Sequence, residues 1–139
     1  MPVETYPNCA CCGPPGVCCP GTTLPNVLFA TVVSQDQPNC ACLIGTVIRL
    51  DFDIADGLWH GRVRVGGACD RELSVTFDRS TCQVGFWCQD RKDWPQVAVG
   101  DTPTSCVPFD LTISAIGVGG LQCCIDDRGN PDWTVHITQ

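Results

Sequence analysis

The sequence has little basic charge. Lys92 is the only lysine, and 15 acidic residues outnumber 8 basic ones. Proteins that bind nucleic acid draw much of their affinity from clustered lysine and arginine, and anionic membrane surfaces attract the same clusters. The charge balance therefore argues against nucleic acid and against anionic lipid surfaces as partners.

The sequence also lacks a catalytic motif. It has no Gly-x-Ser-x-Gly elbow, and no cysteine lies beside an identifiable general base. The two histidines, His60 and His136, fall at outward positions of predicted strands. We therefore expect the protein not to be an enzyme, and we expect no organic cofactor.

Long apolar runs are missing as well. No segment approaches the roughly 20 apolar residues of a membrane-spanning helix, so membrane insertion is not expected. Residues 1–8 show neither the positive region nor the apolar region of a secretory signal. Three origins remain open: a virion component released by lysis, a substrate of signal-less export, or a mature chain renumbered after processing.

Cysteine, in contrast, is abundant, with 13 residues in a chain of 139. Thiols at this density persist as disulfides only in an oxidising compartment, which predicts an extracellular, cell-surface or virion location. Five cysteines lie in a leader rich in proline and glycine: Cys9, Cys11, Cys12, Cys18 and Cys19. An odd total leaves at least one sulfur unpaired or bonded to another chain.

The other eight cysteines are spread over the rest of the chain and are candidates for body disulfides: Cys40, Cys42, Cys69, Cys82, Cys88, Cys106, Cys123 and Cys124. Neighbouring cysteines rarely bond each other, because a bridge needs its Cα atoms about 4.4 to 6.8 Å apart. Each adjacent pair is therefore expected to reach two different partners, in a connectivity that the sequence leaves open.

The composition changes near Leu24, which divides the chain into an extended arm, residues 1–23, and a single β domain, residues 24–139. The arm has no strand or helix periodicity, and proline fixes its backbone and withholds donors. Ordering it costs about 1 to 2 kcal/mol per residue in backbone entropy, with little apolar surface to offset that cost. We therefore expect disulfides or a neighbouring subunit to hold the arm.

The body alternates apolar and polar residues, the signature of half-buried strands. About eight short strands are predicted, at 27–33, 46–54, 58–65, 72–77, 82–88, 96–99, 109–115 and 133–138. With no convincing helix, the pattern predicts an all-β, disulfide-rich sandwich or jelly roll. The final strand, lacking proline and lysine, is expected to form an open sheet edge that can accept or donate a strand.

Asp56-Gly57 predicts a two-residue type I′ hairpin turn between two of these strands. That turn would place Ile54 opposite Trp59 and Asp53 opposite His60, and would pair Asp51 with Arg62. The nearby carboxylates also resemble a calcium loop, although their spacing departs from the EF-hand pattern. The calcium candidates form two clusters of carboxylates that would share an ion. The first cluster is Asp51, Asp53 and Asp56, and the second is Asp126 and Asp127. Hairpin pairing is the simpler interpretation of the first group.

Two further groups of residues are candidate binding sites, and each also has a purely structural explanation. The leader cysteines are capable of binding zinc or copper through thiolates, but they lack paired C-x2-C spacings, and disulfides are favoured. Trp87 and Trp94 flank four charged residues and form a candidate recognition site for glycans or a receptor. The alternative is a hairpin tip whose tryptophans fold over the core.

Several short motifs span much of residues 9–139: Leu24-Pro25-Asn26, the run from Cys40 to Thr46, Trp59-His60-Gly61 and the closing run from Trp133 to Thr138. In these the chain resembles cysteine-rich β modules of uncharacterised bacterial surface and tailed-phage structural proteins. The resemblance implies an appendage or filament component and carries no active-site residues. The doubled cysteines of the arm go beyond that pattern.

Together these features predict a structural protomer of an extracellular or virion filament or appendage. It would assemble with copies of itself through its arm and its β edges, reinforced by disulfides. The alternatives are a glycan- or receptor-binding appendage module and a thiol metal-binding protein.

Overall fold

The computed structural model describes residue 19 and residues 23–35, 38–64, 72–88, 96–99, 103–115 and 132–139. For residues 38–40, 87–88, 96–99 and 115 it describes the backbone alone. These segments contain nine strands and one short 3-10 helix. In chain order the elements are β1 (Val27–Gln35), the 3-10 helix η1 (Pro38–Leu43), β2 (Val47–Asp53), β3 (Leu58–Arg64), β4 (Glu72–Asp78), β5 (Gln83–Cys88), β6 (Gln96–Val99), β7 (Ser105–Cys106), β8 (Phe109–Ala115) and β9 (Trp133–Thr138).

All nine strands belong to one antiparallel sheet, in the order β6-β5-β4-β3-β2-β1-β9-β8-β7. The sheet curls, so that β6 approaches β8 although six strands separate them in the order. The all-β prediction is confirmed. The division into two separate sheets that a sandwich or jelly roll requires is not confirmed, because hydrogen-bonded pairing runs through the sheet from β6 to β7.

The core fills the inside of this curl. Successive residues of a strand point to opposite faces, and the alternate apolar residues of β4, β8 and β9 are buried, as the alternation predicts. Ring contacts cross the interior: Phe77 on β4 meets Phe109 on β8 with ring centroids 5.2 Å apart. Phe86 on β5 stacks on Trp133 of β9 at 5.9 Å. The two ends of the sheet therefore share one core.

A disulfide joins the end of the predicted arm to the body. Cys19 bonds Cys106 of β7, with the Cα atoms 5.8 Å apart, and Cys19 is fully buried. The Nη2 group of Arg79 also donates a hydrogen bond to the carbonyl oxygen of Cys19. Cys42 and Cys82 are disulfide-bonded too. The remaining predicted cysteines lie outside the residues whose side chains are described: Cys9, Cys11, Cys12, Cys18, Cys40, Cys69, Cys88, Cys123 and Cys124.

The last described strand is not an edge, and that expectation was wrong. β9 pairs with β1 on one side and with β8 on the other. The edges of the described sheet are β6, with four residues, and β7, with two. Strands this short offer few free backbone groups for another chain.

The register predicted for the β2–β3 hairpin was also wrong, by two residues. Asp51 lies opposite His60, and Asp53 lies opposite Leu58. The carbonyl oxygen of Asp53 accepts hydrogen bonds from the backbone N–H groups of Asp56 and Gly57, at 3.3 and 2.8 Å, which closes a four-residue turn. A type I′ turn needs positive φ at both central residues, and of the predicted pair only Gly57 has one, at 77°.

The longer turn changes the exposure of one predicted core residue. Ile54 was expected to face inward, but it lies in the turn and is 90% exposed. Phe52, on the last inward position of β2, is 37% exposed and packs on Trp59 with ring centroids 4.7 Å apart. The apolar interior under β2 therefore ends at Leu50.

Candidate functional site

A groove crosses the outer face of β2, β3, β4 and β5. We call it the outer groove, and its volume is about 1200 Å³. β4 supplies the floor through Ser74 and Thr76. The β2–β3 turn and the strand residues beside it form one end, with the carboxylates of Asp53 and Asp56 and the imidazole of His60. The curl of the sheet buries the opposite face in the core, so this face remains available to solvent and ligands.

The floor of the outer groove is unusual for the outer face of a sheet. Ser74 and Thr76 alternate with the core residues of β4, yet they are only 3% and 9% exposed. Gly85 of β5, directly opposite Thr76, leaves space where a side chain would stand. The Oγ atom of Ser74 is buried and has no hydrogen-bond partner among the described residues. Burying such a hydroxyl costs free energy, because it loses its hydrogen bonds to water and gains none in their place.

The turn at the end of the groove gathers three metal-ligating side chains, Asp53, Asp56 and His60. One ligand atom from each lies within 4.8 Å of the others. The backbone N–H of Ala55 donates to Asp53 Oδ1 at 2.9 Å, and that of Leu58 donates to Asp56 Oδ1 at 2.9 Å. His60 Nε2 lies 2.6 Å from Asp56 Oδ2. These hydrogen bonds account for the arrangement without a cation.

The turn brings together only part of the predicted calcium set. Asp51 is drawn away, because its Oδ1 accepts a hydrogen bond from Arg49 Nε at 3.0 Å. Asp126 and Asp127 lie outside the described residues. His60 was not among the predicted ligands: the predicted register paired it with Asp53 across the hairpin, whereas in the structure it contacts Asp56. A histidine in the set fits zinc and other transition metals better than calcium, which prefers oxygen ligands.

A second His–Asp pair lies on β8 and β9, away from the groove. His136 Nε2 hydrogen-bonds Asp110 Oδ1, and both side chains are about two-fifths exposed. The hydrogen bond from His136, helped by one from Thr104, holds the pKa of Asp110 below its ordinary value of 3.8. At the turn, the backbone N–H of Leu58, together with His60, likewise lowers the pKa of Asp56.

These two carboxyl groups predict a loss of stability in acid. A carboxyl whose pKa is lower in the folded state stabilises the protein above its unfolded pKa, and this contribution disappears as pH falls through the folded pKa. We therefore expect the urea concentration at the midpoint of unfolding to decrease as the pH is lowered below about 4. The double variant Asp56→Asn with Asp110→Asn should show a smaller fall, measured by urea titrations between pH 2 and pH 7. An unchanged pH profile in this variant would contradict the assignment.

An apolar surface lies on the outer face near the start of β2. We call it the outer apolar patch, and it consists of Phe29, Val33, Ile44 and Val47, which are 39%, 48%, 45% and 54% exposed. Val47 of β2 lies opposite Thr31 of β1, the residue midway between Phe29 and Val33 in the sequence. The backbone N–H of Gly45 also donates to Val32 at 2.7 Å. The sequence analysis did not predict this patch.

The structure describes the residues of the other predicted sites only in part. Trp87 lies on β5, where its backbone is in register with Ser74 at the floor of the groove. Its side chain and all of Trp94 lie outside what is described. Of the leader cysteines in the thiol metal hypothesis, Cys19 is disulfide-bonded and offers no thiolate, and the other four lie outside the described residues: Cys9, Cys11, Cys12 and Cys18.

Comparisons with family models, with curated proteins and with solved structures give no match. No helix in the described segments has the length and apolar character needed to cross a lipid bilayer. Function must therefore be inferred from the surfaces of the curled sheet and from its disulfides.

Proposed function

We propose that the protein is a structural protomer of an extracellular or virion filament or appendage and associates with copies of itself. The observation that carries this proposal is the outer apolar patch. A face that presents Phe29, Val33, Ile44 and Val47 to solvent loses apolar exposure when a second subunit covers it. Because the patch occupies one side of the subunit, a different surface of the neighbour can cover it. Such head-to-tail contacts build fibres when the rotation does not close.

The sheet edges contribute less to this proposal than the sequence predicted. β9 is central, and the described edges are short, so strand addition is not the main contact. Face-to-face packing through the outer apolar patch replaces it.

The disulfides support a location in an oxidising compartment. The Cys19–Cys106 bond also limits which arm cysteines can link one subunit to another. Cys19 bonds Cys106 within the same chain, so it fixes the end of the arm to its own body. Covalent links to a neighbour would then come from the other arm cysteines: Cys9, Cys11, Cys12 and Cys18. The resemblance to surface and tailed-phage modules agrees with this assignment.

Replacing Val47 with aspartate should weaken assembly, because it places a charge in the patch that must be desolvated when a neighbour covers it. Val47 is 54% exposed, so the fold should tolerate the change. We expect association to weaken at least about tenfold, a change of about 1.4 kcal/mol. Light scattering after size-exclusion chromatography, with electron microscopy of the same samples, measures it.

The matched control is Ile54→Asp. Ile54 is 90% exposed in the β2–β3 turn and lies outside the patch, so this variant should assemble like the parent. Non-reducing electrophoresis should also show a ladder that reductant collapses. A parent protein that stays monomeric at high concentration, or equal assembly of the two variants, would contradict the proposed function.

A further inference from the structure

We propose that the outer groove is a binding site for a neutral carbohydrate chain. This inference does not depend on self-assembly, because the groove crosses β2 to β5 whereas the outer apolar patch lies on β1, the turn after η1 and the start of β2. Two observations independent of each other point to a ligand. One is a concavity of about 1200 Å³, and the other is a buried hydroxyl on its floor without a partner among the described residues.

The unpartnered hydroxyl belongs to Ser74, which is 3% exposed and lines the groove. An alanine at this position would fill almost the same space without leaving a polar atom unsatisfied. A serine here becomes favourable when a ligand hydroxyl supplies the missing hydrogen bond. Arg62 lies directly opposite Ser74 on β3, and its side chain is 42% exposed, so it has room to move when a ligand enters.

The charges around the groove select against anionic ligands. Its lining contains four carboxylates, from Asp51, Asp53, Asp56 and Asp78, and two guanidinium groups, from Arg49 and Arg62. With neutral histidine the net charge is negative, so a phosphate, a nucleic acid or an acidic glycan would be repelled. A neutral sugar meets no such repulsion, and its hydroxyl groups both donate and accept hydrogen bonds. Carboxylates, guanidinium groups and the Thr76 hydroxyl can therefore all serve as partners.

The size of the groove favours a chain of sugars over a single ring. Pockets for small molecules are commonly about 300 to 1000 Å³, and this groove exceeds that range. Gly85 of β5 has no side chain, so it keeps the floor low on that side and leaves room for a chain of sugars to extend across it.

The test uses the whole protein, labelled with ¹⁵N, and four neutral probes: maltohexaose, cellohexaose, chitohexaose and mannohexaose. We expect at least one probe at millimolar concentration to shift the amide resonances of residues 74–76 and 83–85. Hexagalacturonate, an acidic chain of the same length, should cause no such shifts. The inference is overturned if no neutral probe shifts these resonances, if the shifts map elsewhere, or if hexagalacturonate binds more tightly.

Variants separate a binding role of Ser74 from a merely structural one. Ser74→Ala should weaken binding of the active probe about tenfold, the effect expected for one lost hydrogen bond, and should also raise the melting temperature by a few degrees. Thr76→Val should weaken binding as well. Thr112→Val, at an exposed position on β8, is the control and should bind like the parent. Full affinity in Ser74→Ala would show that the hydroxyl does not contact the ligand and would overturn the inference.

Discussion

Replacing Cys19 and Cys106 together with alanine should lower the free energy of unfolding by about 4 kcal/mol. The bond closes a loop between positions 87 residues apart, and the loss of entropy that such a link imposes on the unfolded chain grows with loop length. Both residues are also buried, so the variant loses packing around the sulfur atoms. The change is a large part of the roughly 5 to 15 kcal/mol that stabilises typical domains.

Guanidinium chloride unfolding without reductant measures this loss, and the double variant leaves neither thiol free to form a wrong bond. Val107→Ala is the matched control, because it alters the neighbouring residue, which is 69% exposed. This control should remain within about 0.5 kcal/mol of the parent. A loss of less than about 1 kcal/mol in the double variant would mean that the bond contributes little beyond the other disulfides.

Gly61→Ala should destabilise the sheet by about 3 kcal/mol, at the upper end of the range for overpacked cores. A Cβ atom at this position of β3 would overlap the carbonyl oxygen of Arg49 and would lie 2.8 Å from both Ile48 Cγ2 and Leu50 Cδ2. The first of these is backbone of β2, so relief requires moving a strand. Thermal and urea unfolding should both show the loss.

Gly57 provides the comparison, because the reason for glycine there is different. A Cβ at Gly57 meets no atom within 4 Å, but the residue has a φ of 77°. Gly57→Ala should therefore cost only about 1 kcal/mol, from backbone strain in the turn. If the two alanine variants prove equally stable, close approach of β2 to β3 does not explain Gly61.

The inward faces of the strands could be predicted because alternation is a local property. Phe77 on β4, Leu111 on β8 and Val135 on β9 are buried as their spacing predicts. The hairpin register, in contrast, could not be predicted from alternation. A shift of two residues leaves the same side chains facing inward, so the apolar pattern cannot detect it. The turn hydrogen bonds of Asp53 decide the register, and they depend on backbone geometry.

The outer groove was beyond sequence reasoning for a related reason. Ser74 and Thr76 look like ordinary outward residues of β4, and their burial depends on the neighbouring strands that enclose them. His60 contacts Asp56, a pairing that the predicted two-residue turn did not include. The Cys19–Cys106 bond could not be predicted either, since spacing among 13 cysteines does not fix their pairing.

The position of β9 has a consequence for how the protein is made. β1 to β6 form one run of hairpin-paired strands, and β7 with β8 forms another, and only β9 joins the two runs. As the ribosome releases the chain, β1 must keep one side unpaired until the last described strand has emerged. Pairing between strands far apart in the sequence slows folding and leaves aggregation-prone intermediates exposed for longer. A nascent chain stalled before Trp133 should therefore engage chaperones, and its disulfides should form correctly only after β9 has been synthesised.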